Sequence, residues 1–423
     1  MNRRRFIQTT ATLGAATAIA PHVRAASKGS KRKKVAMIVT EVRKMSHGQH
    51  FVDRLLGGYG WQGSHHYPDI DVVAMYVDQF PENDLSRERE KRFGCRIYPT
   101  VEEALTRGKE KLAVDGVVII GEHGKYPKNQ KGQTLYPRYK FFKQTTNIFE
   151  SSGRSVPVFN DKHLSTDWLE CMEMVDTAKR LDFPFLAGSS LPVTWRMPAT
   201  ELPYDVPLAE SVSICYGGVD SYDFHGLETA QCMSERRDGG EVGIKTTQAL
   251  RGPAVWERLE RDEQTRKLFL AALSRSETRV PPSGFTFGPP TLEEARQHCK
   301  DPIGYFYEHS DGFRTAMFMM NGYISEFSYA GLRRDNGKIT SCIMYLPMPY
   351  HLATTANFFN PLCHHIEQMI LHNRAPYPIE RTLLTSGMTM FAVESLFRGQ
   401  KQIETPEMAV RYRARRESNF WRA

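Results

Sequence analysis

Through residues 35–189, short apolar runs of strand length alternate with segments patterned for helices. Residues 35–39 and 114–120 are almost wholly apolar, as strands buried on both faces are. Residues 71–78, 94–98, 156–159 and 184–188 continue the series. Between them, 83–93, 139–151 and 165–181 fit helices, and 51–56 begins one that Gly57 and Gly58 break. Thr100, with Glu103 three positions on, reads as a capping box opening another. This alternation predicts an α/β fold, a doubly wound, Rossmann-like parallel sheet covered by helices on both faces. Right-handed crossovers would then bring the loops after Val39, Val77, Ile120 and Phe159 to one crevice, the ligand side of such sheets.

From about residue 190 the rhythm changes. Short strands at 211–216, 304–307, 313–319, 324–329 and 339–346, with a helix over 255–273, predict an α+β domain. Its sheet is expected to be mostly antiparallel and open, with a free face that could support a homo-oligomer. Helices follow at 364–372 and 382–397, and a basic segment, 411–423, closes the chain as a solvated tail. The division is therefore 1–26, 27–34, 35–189, 190–410 and 411–423.

The 423 residues are 40% hydrophobic and 25% charged, enough to bury two cores. The net charge of +8 suggests a nucleic-acid partner until its location is read. Residues 1–34 hold nine basic side chains and no acid, which leaves −1 for everything from Val35 onward. A basic nucleic-acid groove is thereby excluded. The seven cysteines are scattered singly, neither a disulfide framework nor a cysteine zinc site.

The charged start carries its own meaning. Arg3-Arg4-Arg5-Phe6-Ile7 is followed by a mild apolar run over 11–20, then Pro21 and the small residues Ala25 and Ala26. This resembles a twin-arginine export leader, over 1–26, followed by a basic linker, 27–34. It implies the Tat machinery as partner and a periplasmic or extracellular destination. The run is too short to span a bilayer, so no stable membrane anchor is expected.

The strand order, Asp78 ending the second long strand, the Gly-Cys-Arg-Ile-Tyr-Pro-Thr-Val-Glu-Glu-Ala-Leu segment from Gly94 and two later motifs resemble the Gfo/Idh/MocA oxidoreductases. That family includes glucose–fructose oxidoreductase and inositol dehydrogenase. The likeness covers nearly all of the chain after residue 34. In Val158-Phe159-Asn160-Asp161-Lys162-His163, Lys162 matches the family lysine that contacts substrate and nicotinamide, with Asp161 in place of its Glu and His163 in place of its Pro. In Gly217-Gly218-Val219-Asp220-Ser221-Tyr222-Asp223-Phe224-His225, His225 matches the second-domain histidine. Asp220 and Asp223 stand five and two residues before it, where the family has one acid at four.

The resemblance implies oxidation or reduction of a sugar, polyol or derivative with NAD or NADP. His225 would be the acid/base and Lys162 would hold the substrate oxygen, with Asp220 and Asp223 as further catalytic candidates. Thr40, Glu41, Arg43, Ser46, Asp78, Glu122, His123 and Lys162 are the cofactor candidates. Asp78 suits the ribose of NAD. Against this stands the first loop, where G-x-G-x-x-G is missing, Gly48 is the one late glycine, and Glu41 would repel a phosphate.

Residues 121–137 replace a short family turn and are long enough to form a lid or substrate loop. They also add to a crevice rich in histidine. His47, His50, His123, His163 and His225, with Glu122 or Asp161, raise a metal-dependent or otherwise non-redox enzyme as one rival, although no local metal motif is present. A silent carbohydrate-binding protein is the other. Trp195, Tyr216, Tyr222 and Phe224 suit a sugar-like guest.

Overall fold

The computed structural model describes residues 32–280, 288–347 and 355–422; the leader-like residues 1–26 and the start of the basic stretch lie outside them. The first half runs β1 (Lys33–Val39), α1 (His47–Gly57), β2 (Tyr59–Trp61), β3 (Ser64–His66), β4 (Ile70–Val77), α2 (Ser86–Phe93), β5 (Arg96–Tyr98) and α3 (Val101–Thr106). It continues with β6 (Gly116–Ile120), α4 (Arg138–Ser152), β7 (Val158–Asp161), α5 (Trp168–Arg180) and β8 (Phe185–Gly188).

Six of these strands form one parallel sheet in the order β5-β4-β1-β6-β7-β8. Val35 to Val39 and Val117 to Ile120 have no exposed surface, as their unbroken apolar runs require. The sheet begins earlier than expected. Arg32 binds Asp71 at 2.7 Å and the Ile70 carbonyl at 2.9 Å, so the end of the basic stretch is fastened to β4. Thr100 does cap α3, accepting from the Glu103 N–H, but the Glu103 carboxylate meets the Thr100 hydroxyl instead of closing the box.

The second half comprises β9 (Arg196–Met197), β10 (Leu208–Cys215), α6 (Tyr222–Ser234), β11 (Ile244–Arg251), α7 (Pro253–Arg261), α8 (Glu263–Leu273) and α9 (Leu292–His298). Then come β12 (Ile303–His309), β13 (Arg314–Met319), β14 (Phe327–Arg333), β15 (Ile339–Met344), α10 (Asn360–His372), α11 (Glu380–Phe397) and β16 (Ile403–Glu404). The sheet order is β16-β11-β12-β13-β10-β14-β15-β9, antiparallel except where β10 lies beside β13.

The single helix expected over 255–273 is two. Asp262 ends α7 and caps α8, its carboxylate accepting from the Thr265 N–H, which favours a break over a continuous helix. Helix α6 was not foreseen as a helix because it has no apolar stripe; it is buried on nearly every side between the sheet and α11.

A continuous apolar core runs through both sheets, and a smaller one lies between the second sheet and α7–α9. Helix α10 comes from the second half of the chain yet packs on the first sheet. A Cβ at Gly116 of β6 would meet Ile370 at 2.8 Å, so the bare backbone there admits the helix. The basic C-terminal segment is not a solvated tail: Phe420 is buried, the rings of Trp421 and Trp61 are 3.8 Å apart, and the Tyr412 hydroxyl donates to Glu235. Among the described residues, no helix is long and apolar enough to cross a membrane.

Candidate functional site

Lys162 follows β7 directly. Its backbone stands at φ 68°, in the left-handed region, and its N–H donates to the Gly188 carbonyl at the end of β8. Its amine reaches Nε2 of His225, in the first turn of α6, at 2.5 Å. Two residues that sequence places 63 positions apart in different domains thus share one contact. His123 (φ 70°) and Asp220 (φ 59°) are also left-handed, and strain of this kind gathers at functional sites.

Burial, and then the charges of Lys162 and His47, hold the His225 imidazole well below its ordinary pKa. A neutral ring accepts from the Lys162 amine at Nε2 and carries its proton at Nδ1, which is buried with no hydrogen-bond partner among the described residues. Beside this pair stands a second. His47 opens α1 and Asp161 ends β7, and their Nδ1 and Oδ2 atoms are 2.7 Å apart. The pairing was not foreseen, because 114 residues separate the two.

Glu122 follows β6 and takes a bond from Arg138 at 2.6 Å. Burial alone would raise its pKa, but the charges of Lys162 and Arg138 outweigh burial and hold the carboxylate ionised. Burial pulls the imidazoles of His50 and His123 down to about 3. The site therefore presents the neutral rings of His225 and His123 beside one amine and the Glu122 carboxylate.

These groups line a small pocket of about 60 Å³. Lys162, His225, His47, Asp161, Glu122 and His123 supply its chemistry. Ser189, Ser190 and Ser221 add hydroxyls, and Tyr222, Phe358 and Phe359 add apolar faces. Of the aromatics proposed from sequence, Tyr222 alone lines it. Trp195 packs on Tyr345, Tyr216 on Phe327, and Phe224 is buried. Phe358, Phe359 and the serines carried no signal, because an aromatic or serine at a chain position says nothing of what it faces.

The remaining candidates lie elsewhere. Asp223 accepts from the N–H groups of Asp220, Ser221 and Phe224 and from the Tyr305 hydroxyl. It braces the turn into α6 and does not reach the cavity. Asp220 accepts from Gln133 at 2.9 Å and lies 3.6 Å from His163. Burial, then Asp223, pushes its pKa to about 7.

A dinucleotide laid across strand ends needs open N–H groups at the first helix and a free strand-end acid. Here the His47 N–H donates to His123 and the Gln49 N–H to Ser46. Arg43 is paired with Glu41, and the Thr40 hydroxyl donates to the Glu122 carbonyl. Thr40 and Ser46 have no exposed surface. Asp78 accepts from the hydroxyls of Tyr76 and Tyr126, one on each oxygen, and Gln79 exchanges two bonds with the Lys125 backbone. A Cβ on Gly48 would sit 2.2 Å from the Glu41 carbonyl oxygen, so this glycine seats α1 against the loop. Residues 121–137, expected as a lid or substrate loop, thus lie across the strand ends. Of the cofactor candidates, Glu122, His123 and Lys162 face the cavity, while Thr40, Glu41, Arg43, Ser46 and Asp78 are engaged within the protein. A nicotinamide nucleotide at these strand ends would displace the Tyr126–Asp78 and Gln79–Lys125 contacts.

No protein-family model matches the sequence, and neither does any curated protein. Solved structures do match the fold. One is GenD2 from gentamicin A biosynthesis in complex with NAD, 12% identical, with a TM-score of 0.53 over 90% of this chain and 99% of that one. Another is myo-inositol dehydrogenase from Lactobacillus casei in complex with NAD(H) and myo-inositol, 12% identical, TM-score 0.54, over 88% and 97%. A third is an oxidoreductase from Agrobacterium radiobacter in complex with NAD+, L-tartaric acid and magnesium, 13% identical, TM-score 0.50, over 89% and 100%. The chain has the fold of the Gfo/Idh/MocA oxidoreductases, inositol dehydrogenases among them. At such identity the likeness is one of fold, and what this cavity does must be argued from its own residues.

Proposed function

We propose that this protein is an enzyme acting on a sugar or polyol derivative that carries a carbonyl, with Lys162 and His225 moving a proton at the hydroxyl-bearing carbon beside that carbonyl, which takes the electron pair as an enediol. The Lys162–His225 contact inside an enclosed, hydroxyl-lined cavity carries the reading. An amine that can hold an oxygen and a neutral imidazole that can take a proton form an acid–base pair. His47, aligned by Asp161, supplies a second proton carrier on the same cavity. The aromatic faces and serine hydroxyls suit a polyhydroxylated guest, and a fold relative solved with myo-inositol supports the substrate class. Chemistry of this kind is redox-neutral and needs no dinucleotide. The leader-like residues 1–26 support an exported enzyme.

The second reading, a nicotinamide-linked sugar or polyol oxidoreductase, is favoured by the NAD complexes of the fold relatives. It requires residues 121–137 to leave the strand ends. A panel of monosaccharides, polyols and their keto forms, followed by NMR in D2O with and without NAD(P)+, separates the two. We expect solvent deuterium to enter a substrate carbon without nucleotide, at a rate that falls at least about 100-fold in Lys162→Met and His225→Asn. Turnover that occurs only with NAD(P)+, with absorbance of the reduced nicotinamide appearing, would make the enzyme a dehydrogenase.

A further inference from the structure

Away from the cavity, the β2–β3 hairpin brings His66 against α10, which presents His364 and Glu367 one turn apart on one face. One nitrogen from each imidazole and one carboxylate oxygen all lie within 4.8 Å of one another. The Nε2 atom of His66 is 2.7 Å from Oε2 of Glu367. The Asp69 N–H donates to the other carboxylate oxygen at 2.7 Å, and the Tyr59 hydroxyl reaches Oε2 at 3.3 Å. Glu367 is buried while both histidines remain partly exposed, so the cluster has a fixed floor and an open side.

Hydrogen bonding leaves this cluster incomplete. Among the described residues, Nδ1 of His364 is buried with no partner, and its ring lies flat on Trp61, centroids 4.4 Å apart. A buried carboxylate facing two imidazoles is a donor set of the kind zinc selects. Ligand bonds of about 2.1 Å in a tetrahedron place ligand atoms about 3.4 Å apart. Only short movements from the present positions are needed to reach that spacing. The Asp69 N–H and the Tyr59 hydroxyl already orient the carboxylate, as outer partners do in metal sites.

We propose that His66, His364 and Glu367 form a binding site for a divalent transition ion of the zinc type, with water completing the coordination. The ion would rivet the hairpin to α10. The chain entering α10 carries Phe358 and Phe359 to the cavity wall, and Asn360 accepts from Arg54 of α1 at 2.7 Å, so this rivet would also brace the site. The inference is independent of the reaction proposed above.

The test uses the full chain, stripped with a chelator and titrated with zinc by calorimetry, and with cobalt by absorption. We expect one equivalent bound, tetrahedral cobalt bands, cobalt quenching of tryptophan fluorescence through Trp61, and a melting temperature that rises on zinc addition. In His364→Phe, which keeps the ring on Trp61, and in Glu367→Gln, affinity should fall at least about 100-fold and the thermal shift should vanish. His66→Phe, altered on the hairpin, gives the same reading if an α10 variant fails to fold. No zinc bound by the wild type at micromolar concentration, or equal affinity in the folded variants, overturns the proposal.

Discussion

Lys162, His123 and Asp220 each hold a backbone conformation that a side chain disfavours, and each stands at a strand end or turn that shapes the cavity region. At Lys162 the strain is testable apart from the chemistry. A non-glycine residue in the left-handed region costs about 1–2 kcal/mol. Lys162→Gly should therefore unfold at higher urea than Lys162→Ala, by about 1 kcal/mol or more, although both lose activity. Asp220 offers a test by pH. Its native pKa of about 7 lies above the ordinary aspartate value of 3.8, so between about pH 4 and 7 the folded chain binds a proton that the unfolded chain does not. That stabilisation is full below about pH 4 and is lost as pH rises through 7. Asp220→Asn, which can keep the bond from Gln133, should raise the melting temperature above wild type at pH 8, with the difference closing towards pH 4.

At the scale of elements, α6 and α11 are locked by a buried ion pair. Arg381, in the first turn of α11, donates to Glu235 at the end of α6, both nearly without exposure, and the Tyr412 hydroxyl joins them. Removing one partner leaves a buried charge alone, which costs about 3–5 kcal/mol. Arg381→Leu should lose that much stability in urea unfolding, and the double variant with Glu235→Leu should recover most of it. The elements also show why some were legible and others not. The parallel strands betray themselves through unbroken apolar runs, since both of their faces are covered. Helix α6 is silent because burial on all sides erases its periodicity. The break at Asp262 is a capping decision between two helices, and an apolar pattern continuous through 255–273 cannot reveal it.

Over the whole molecule, the two sheets meet so that strand ends of the first face the start of α6 from the second. Residues 121–137 span this junction: Tyr126 bonds Asp78, Gln133 bonds Asp220, and Lys131 pairs with Glu394 of α11. The alternation of strands and helices, the change of rhythm near residue 190 and the positions of Lys162 and His225 were all written in the sequence, because periodicity and motif order are local properties of the chain. Tertiary structure alone decided that His47 pairs with Asp161, that α10 returns to the first sheet, and that residues 121–137 engage the acid and the helix terminus a dinucleotide would need. Those outcomes depend on which side chains meet across scores of residues, and such meetings are fixed by packing and mutual hydrogen bonding, not by any pattern along the chain.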